Sequence, residues 1–503
     1  MSFTKTLMTS VSALMLAGAF ATSASATNLS TGGSSLIAPY IAQVWGARTG
    51  SNPTTPYPGT SSISSPVNTA DHVQLWNSAT SSPYGTQKLI ASSPDTDSSP
   101  NSVDTFNYLS SNSTGGIRGF FSADKTRLGS DGANAPSGFS QLGVPYLGLA
   151  DAALTAEDIN VYNNGGTDSA FNTISFRTDS TASNTSPYMR PAARWGALIQ
   201  MPFSVDPVAF GYNPTNLNIA TADGKLHLDK AAYCGIFNGS ITNWNDSHLQ
   251  ALNGGTQLNS NLAIKLVGRT PGSGTTSIFT RHLADVCSSS AGYYSGTNHY
   301  YLDSTGADGF VGYTTLPGGV AFYHTNSSSG GVATDLGTVT GTIGYIGADF
   351  VDPANSSTQA TTYTIPAASL QVGSGSTFVQ PTAANAVTAY NTASPPSGSD
   401  RADPSKWVAF VTNPSTGYPV VGTTNVVMGT CYASARLNTL INDGSGSTPE
   451  GFLHWYYRNT NTIPGDILSN AALGTLPAAW NTAINETFIT NTSGLNLNIR
   501  SSC

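Results

Sequence analysis

The sequence predicts an α/β fold, because strand-like segments alternate along the chain with helix-like segments. The strand-like segments are short apolar runs rich in β-branched and aromatic residues, at 144–149, 198–203, 208–212, 264–267 and 418–427. The helix-like segments carry apolar residues at helical spacing, at 229–237, 276–285, 432–441 and 476–487. No tandem repeat of solenoid length is present in the sequence.

The composition is that of a folded protein with an acidic balance. Charged residues make up 9 % of the chain and aromatic residues 10 %. Disordered chains are usually highly charged and poor in aromatic residues, so we expect a folded, turn-rich protein. The net charge is −8 and there is no basic run, which argues against a nucleic-acid partner.

Residues 1–26 have the pattern of a signal peptide. Lys5 supplies the positive charge, residues 11–20 are apolar, and residues 24–26 read Ala-Ser-Ala, a small-residue cleavage site. The apolar run is about half of the roughly 20 residues that a membrane span needs, and no other segment reaches that length. No Cys follows the cleavage point, so we expect no lipid anchor. We expect cleavage near Ala26 and a mature protein in the periplasm or outside the cell.

Four cysteines remain after the signal segment: Cys234, Cys287, Cys431 and Cys503. An even number in an oxidising compartment favours disulfides, and three pairings are possible. We favour Cys234–Cys287 and Cys431–Cys503, because each pair lies within one stretch of sequence. A zinc site is the rival interpretation, but the sequence contains no CxxC and no nearby His at ligand spacing. We therefore expect no metal and no cofactor.

The segment 265–283 is the most informative for function. An apolar strand reaches Arg269, a Gly-Ser-Gly-Thr turn follows at 272–275, and a helix with apolar residues on one face begins there. A helix start offers unpaired N–H groups and the positive end of the helix dipole, and Arg269 can grip two oxygens of an anion. The alternative is a turn whose Ser or Thr only caps the helix. It is not a Walker A loop, because the Lys and the spacing are absent.

Three further segments are rich in small and hydroxyl residues, at 32–40, 108–116 and 146–151. Each alone indicates only a turn. In this order, together with the Arg269 segment, they resemble the phosphate-binding proteins of high-affinity phosphate transporters, and more closely the extracellular DING proteins. The resemblance continues through most of the mature chain, at 234–244, 341–345, 400–407, 418–422 and 476–480. The four cysteines also stand where DING proteins place theirs, which supports the favoured pairing.

The resemblance implies a type II periplasmic-binding-protein fold, in which two lobes with mixed sheets flanked by helices close like a flytrap. Lobe 1 would comprise residues 27–204 and a return segment at 343–503, and lobe 2 residues 205–342. Residues 48–105, rich in Ser, Thr, Pro and Asn, would form a loop-rich insertion.

The resemblance also implies a set of phosphate contacts. From lobe 1 these are Ser35, the backbone of Leu36, Ser113 and Asp151; from lobe 2 they are Arg269, Ser273, Gly274 and Thr275. Asp151 would accept the proton of hydrogen phosphate. Sulfate has no such proton at neutral pH, so a carboxylate at this position would reject it by like-charge repulsion.

Two positions depart from the family pattern. Pro271 stands where the family usually has an acidic residue that restrains the Arg, so affinity or ligand choice could differ. Ser35 stands where Thr is usual, which keeps the hydroxyl.

The preferred function is a secreted protein that binds inorganic phosphate for scavenging or uptake, passing it to an ABC transporter permease or working with secretion machinery. The alternatives are a DING-like phosphatase acting on phosphomonoesters and a surface or adhesion protein. The sequence has no GxSxG and no HExxH motif, and it supplies no evident base for Ser113 or Thr275 to act as a nucleophile. We therefore expect binding without catalysis, and no catalytic residue is assigned.

Overall fold

The structure is a computed structural model. It describes residues 28–38, 40–41, 44, 71–77, 104–128, 144–167, 175–178, 189–270, 272–287, 315–316, 320–352, 363–432, 441–442, 451–458 and 463–500. The signal segment, the predicted helix at 433–440, Pro271 and Cys503 lie outside these residues. A search of the described part for a helix long and apolar enough to span a membrane finds none.

Strands and helices alternate through the described residues, as predicted. The strands are β1 (Asn28–Gly33), β2 (Asp71–Asn77), β3 (Asp104–Ser110), β4 (Gly148–Ala150), β5 (Gly166–Thr167), β6 (Ser175–Phe176), β7 (Leu198–Tyr212), β8 (His227–Leu228), β9 (Lys265–Arg269), β10 (Thr315–Leu316), β11 (Val320–Ala321), β12 (His324–Asn326), β13 (Thr342–Gly347), β14 (Val351–Asp352), β15 (Ile365–Pro366), β16 (Ser369–Gln371), β17 (Phe378–Val379) and β18 (Val421–Gly429). The α-helices are α1 (Ser113–Ser122), α2 (Ala156–Asn164), α3 (Pro191–Trp195), α4 (Lys230–Asn238), α5 (Ser247–Leu252), α6 (Gly274–Val286), α7 (Ser329–Thr338), α8 (Ala383–Tyr390), α9 (Phe452–Tyr456), α10 (Ile463–Ser469) and α11 (Ala478–Ile484).

One mixed sheet carries the fold, with the strand order β12-β9-β13-β7-β18-β4-β1-β3-β2. The outer strands are parallel within each end of the sheet: β12, β9 and β13 at one end, and β4, β1, β3 and β2 at the other. β7 pairs antiparallel with β18 through residues 198–207 and with β13 through residues 208–212. This long strand therefore joins the two parallel groups, and the predicted lobe boundary at 204–205 falls within it.

β7 corrects the prediction of separate strands at 198–203 and 208–212, which form one continuous strand of 15 residues. The polar residues Ser204 and Asp206 suggest a break in the sequence, but both are fully buried and hydrogen-bonded. Opposite Pro202, the register with β18 shifts between Thr424 and Asn425, which forms a β-bulge. A proline cannot donate to the ladder and is accommodated at such irregularities.

The expectation of irregular structure throughout residues 48–105 is wrong for one described segment. Residues 71–77 form β2, which pairs in parallel with β3 at the edge of the main sheet. A seven-residue strand with alternating apolar residues is short enough to be hidden in a sequence dominated by Ser, Thr and Pro.

Two segments that contain closely spaced glycines, residues 327–331 and 372–376, connect packed elements. Residues 327–331 lead into α7, whose N-cap is Ser328. Residues 372–376 connect β16 to the antiparallel β17 as a hairpin turn. The first segment thus includes the start of a helix, and the second is a turn between paired strands.

The Cys234–Cys287 disulfide is present and joins α4 to the end of α6. The second pairing involves Cys503, outside the described residues, and stays a prediction.

The disulfide closes a loop with a sequence separation of 53 residues. On the chain-entropy model, a Cys234→Ala/Cys287→Ala variant loses about 4 kcal/mol of unfolding free energy. Urea unfolding of the two proteins measures this difference. An unchanged midpoint would show that the bond does not constrain the unfolded chain as assumed.

Candidate functional site

Two helix N-termini meet at the centre of the molecule. α1 begins at Ser113 directly after β3 and is capped by Asn112, whose side chain accepts the N–H of Gly115 at 2.8 Å. α6 begins at Gly274 after β9 and is capped by Ser273, whose hydroxyl accepts the N–H of Thr276 at 3.2 Å. Each start combines unpaired N–H groups with a positive dipole end, which is the geometry of an anion site.

Glycine makes this approach possible. A Cβ on Gly274 would lie 2.4 Å from Ser113 Oγ, 2.7 Å from Asp151 Cβ and 2.8 Å from the Ala152 nitrogen. The α6 start is thus pressed against both the α1 start and the residue that follows β4. The sequence-predicted residues Ser113, Asp151 and Gly274 are therefore neighbours in space.

Gly274→Ala places a methyl group in this contact. Overpacking of this kind costs about 2 kcal/mol, so we expect the affinity for the site's anion to fall roughly thirtyfold. Calorimetric titration with phosphate measures the change. Gly337→Ala in α7 is the matched control, because the nearest atom to its added Cβ is Tyr363 O at 3.7 Å. Equal affinities in both variants would contradict the tight approach described here.

Asp151 is the buried carboxylate of the site, with 5 % of its surface exposed. Its backbone N–H donates to Ser113 Oγ at 3.0 Å, and its Oδ1 accepts the hydroxyl of Thr424 at 2.8 Å. Burial raises the pKa of Asp151, while hydrogen bonds from Ser34 and Thr424 and the charge of Arg269 act to lower it. The Asp151 carboxylate is thus an acceptor surrounded by the donors Ser34 and Thr424 and the charge of Arg269.

Arg269 is the buried cation of the site, with 3 % of its surface exposed. Its guanidinium donates to Ser329 Oγ at 3.0 Å and to the Ser327 carbonyl at 3.1 Å. Its backbone N–H donates to the Tyr345 hydroxyl at 3.1 Å. Neutral oxygens at the start of α7, from Ser327 and Ser329, therefore restrain Arg269, in the role that the resemblance assigned to an acidic residue at position 271.

In the N-terminal loop, the structure places Ser34, the neighbour of the predicted Ser35, against Asp151. Ser34 is 1 % exposed, donates to Asp151 and accepts the Leu36 N–H at 3.2 Å. Ser35 is partly exposed, and its assigned contact stays a prediction. The adjacent serines look alike in sequence, and only the turn after β1 decides which one faces inward.

The remaining predicted residues, Ser273 and Thr275, are each 2 % exposed at the α6 start. At the α1 start, the hydroxyls of Ser111 and Thr114 are buried and have no hydrogen-bond partner among the described residues. A buried hydroxyl without a partner costs about 1–3 kcal/mol. The site therefore has donor capacity that a bound anion would use.

His282 on α6 is part of the core. It is 1 % exposed, its Nδ1 lies 2.6 Å from the Thr412 carbonyl and its Nε2 lies 3.0 Å from the Tyr233 hydroxyl. Burial lowers its pKa to about 4. The neutral ring donates to the carbonyl and accepts from the tyrosine, so both nitrogens are engaged in structural bonds.

Sequence reasoning missed Ser327, Ser329 and Thr424. The signal for Thr424 is the polar run at 423–425 inside an otherwise apolar strand. Among the described residues, no cluster of three His, Cys, Asp or Glu side chains could hold a metal ion.

The arrangement combines one carboxylate, one guanidinium, two helix starts and several hydroxyls, all shielded from water. It can hold a small tetrahedral oxyanion that carries at least one proton for the carboxylate. It offers donors on most sides and a single acceptor.

Comparison with known proteins places the chain in a family. Residues 97–458 match the model of a family described as a PBP superfamily domain. Alkaline phosphatase L of Pseudomonas aeruginosa strain PAO1 is 33 % identical over 307 residues, which cover 59 % of this chain and 68 % of that protein. A phosphate-binding protein of an unknown prokaryotic organism is 28 % identical over 376 residues, covering 71 % and 92 %.

A solved structure has the same fold. It is a high-affinity periplasmic phosphate-binding protein named PfluDING, bound with phosphate, and it matches with a TM-score of 0.59 at 22 % identity. The match covers 94 % of this chain and 97 % of that one. The predicted type II periplasmic-binding-protein fold and the resemblance to DING proteins are confirmed.

Proposed function

The chain belongs to the PBP superfamily, and we propose that it binds inorganic phosphate, as hydrogen phosphate, between the α1 and α6 N-termini. The observation that carries the proposal is the convergence of these two helix starts on Asp151, with Arg269 close enough to act on its charge. The names of its relatives, which include phosphate-binding proteins, support the same ligand.

The chemistry of the site favours phosphate over other anions. The helix starts and Arg269 neutralise the charge of a bound anion, and together with the serine hydroxyls they donate hydrogen bonds to its oxygens. These interactions are available to any tetrahedral anion. Asp151 can be tolerated beside the anion only if a proton lies between them. Hydrogen phosphate supplies that proton at neutral pH and sulfate does not.

Each predicted contact has its place in this proposal. Asp151 accepts the phosphate proton, and Arg269 binds two oxygens. The remaining donors are Ser35, the Leu36 backbone, Ser113, Ser273, Gly274 and Thr275, and we add Ser34 to them.

The relatives also support a role in the cell. Similar proteins include a periplasmic phosphate-binding protein and a further protein named for phosphate binding. We propose that this protein acts outside the cytoplasm, in the periplasm or after release, and delivers phosphate for uptake, with an ABC transporter permease as the receiving partner.

Titration calorimetry on the mature protein with phosphate, arsenate and sulfate tests the proposal. We expect binding of phosphate and arsenate at micromolar concentrations or below, and much weaker binding of sulfate. Absence of heat with phosphate would rule out the proposed function, and equal affinity for sulfate would remove the role of Asp151.

A second candidate is hydrolysis of phosphomonoesters, because a relative at 33 % identity is named an alkaline phosphatase. The buried hydroxyls of Ser113 and Thr275 lie in the site, but Ser113 already accepts the Asp151 N–H. An assay with p-nitrophenyl phosphate across pH decides between the two. Turnover that disappears in Arg269→Ala would establish the enzyme, whereas turnover unaffected by that substitution would point to a contaminant.

A further inference from the structure

A second layer of acidic groups lies behind Asp151. Thr424 Oγ1 is 2.8 Å from Asp151 Oδ1 and 2.6 Å from Asp206 Oδ2. The other oxygen of Asp206 accepts the Ser204 hydroxyl at 2.6 Å. Asp206, Ser204 and Thr424 are fully buried. The register between β7 and β18 shifts directly after Thr424, next to these contacts.

The two short contacts of Thr424 require more protons than the threonine has. Its hydroxyl carries one proton, and an ionised carboxylate carries none. If the hydroxyl donates to one aspartate, the contact with the other is an attraction only when that carboxyl group is itself protonated and donates to Thr424 Oγ1. One of the two aspartates is therefore a carboxylic acid.

The surroundings decide which one keeps the proton. Asp151 faces the cation Arg269 and also receives a hydrogen bond from Ser34, and both favour its ionised form. Asp206 also receives hydrogen bonds, from the Ser204 hydroxyl and the Thr424 backbone N–H, but no cation is among the groups that act on it, and burial and the charge of Asp151 oppose its ionisation. Asp206 is thus the better site for the proton.

We propose that Asp206 is a protonated positioning residue that donates to Thr424, which in turn donates to Asp151 and holds it ionised and oriented to accept the proton of the bound oxyanion. This Asp206–Thr424–Asp151 relay rests on the proposed function only in its last step, the contact between Asp151 and the bound anion. Neutral Asp206 removes a second negative charge from behind the anion.

The other titratable groups around Asp206 are uncharged near neutral pH. Asp349 is fully buried, and burial together with Asp206 and Asp151 raises its pKa well above the usual range. Burial likewise raises the pKa of Tyr390 on α8 and of Tyr456 on α9, both of which feel Asp206. The charged groups at this centre are thus Asp151 and Arg269.

The relay gives phosphate binding a pH dependence. Burial and the neighbouring Asp151 raise the pKa of Asp206 to about 7. Above that pH the group ionises, and its charge opposes a bound anion. Relative to a variant that cannot ionise, the affinity of the native protein should fall by up to roughly tenfold for each pH unit above 7.

The same proton affects stability, and here the sign follows from linkage. Between about pH 4 and pH 7 the folded protein keeps a proton on Asp206 that the unfolded chain has released. The free energy of unfolding therefore falls as pH rises through this window. Asp206→Asn lacks this contribution. Its urea-unfolding midpoint should therefore change less between pH 4 and pH 7 than the midpoint of the native protein.

Infrared spectroscopy of the phosphate-free protein tests the relay directly. We expect the carbonyl-stretch signal of protonated carboxyl groups at pH 6, and we expect Asp206→Asn to remove a component of it. Asp349→Asn is the matched control and should remove a different component. An unchanged signal in Asp206→Asn would overturn the proposal, whatever the protein binds.

Binding measurements test the functional end of the relay. Asp206→Asn can still donate to Thr424, so at pH 6 its phosphate affinity should stay within roughly threefold of the native value and exceed it above pH 7. Thr424→Val should weaken phosphate binding roughly tenfold through loss of a hydrogen bond to a charged group, and Thr424→Ser should restore it. The relay would be contradicted if the ratio of the Asp206→Asn affinity to the native affinity were the same at every pH. It would also be contradicted if Thr424→Val bound phosphate as tightly as Thr424→Ser. If no variant binds phosphate but the infrared result holds, only the proposed function fails.

Discussion

Arg269→Ala is expected to abolish phosphate binding at concentrations where the native protein is saturated. The guanidinium is buried and fixed by Ser329 and the Ser327 carbonyl, so it is oriented before the anion arrives. Truncating one partner of a buried, hydrogen-bonded charge pair costs about 4 kcal/mol, which is roughly a thousandfold in Kd. Titration calorimetry with phosphate measures the loss.

Two further variants make this prediction specific. Arg127→Ala removes a cation beyond the far end of α1, where Arg127 forms a partly exposed ion pair with Asp124, and it should bind phosphate normally. Arg269→Lys keeps the charge but loses the two-pronged contact, so its affinity should lie between those of the native protein and Arg269→Ala. Full affinity in Arg269→Ala would mean that the anion does not sit beside α6.

Asp151→Asn is expected to relax the discrimination between phosphate and sulfate. The amide can donate to an unprotonated oxygen, and it removes the like charge that excludes sulfate. Like-charge contacts of this kind cost several kcal/mol, so we expect sulfate affinity to rise by roughly a hundredfold. Competition between the two anions in calorimetric titrations gives the ratio.

Asp124→Asn is the control for the change in net charge, because Asp124 caps the turn after α1 and is partly exposed. It should leave the selectivity unchanged. If Asp151→Asn keeps the native preference for phosphate, then another feature of the site provides the selectivity.

The local part of the site could be predicted from the sequence. The strand, Arg269, the glycine-rich turn and the helix start are contiguous, so their pattern indicates an anion site without knowledge of the fold. The partner loops around Ser113 and Asp151 needed the resemblance to a known family, because each is an ordinary turn by itself.

The rest depends on pairings that a single sequence does not reveal. Thr424 meets Asp206 across 218 residues, beside a shift in the register between β7 and β18. The choice between Ser34 and Ser35 depends on the direction of one turn. Ser327 and Ser329, which restrain Arg269, stand in a Ser-Ser-Ser-Gly-Gly run at 327–331 that gives no sign of this contact in the sequence.

The most direct test of the central claim is to locate the anion itself. Crystals of the mature protein grown with arsenate, a heavier analogue with the same shape and a proton at neutral pH, would show the arsenic by anomalous scattering. We expect one strong peak between the α1 and α6 starts, with oxygens within hydrogen-bond distance of Arg269 and Asp151. A bound arsenate at another position, with this centre filled only by water, would contradict the account.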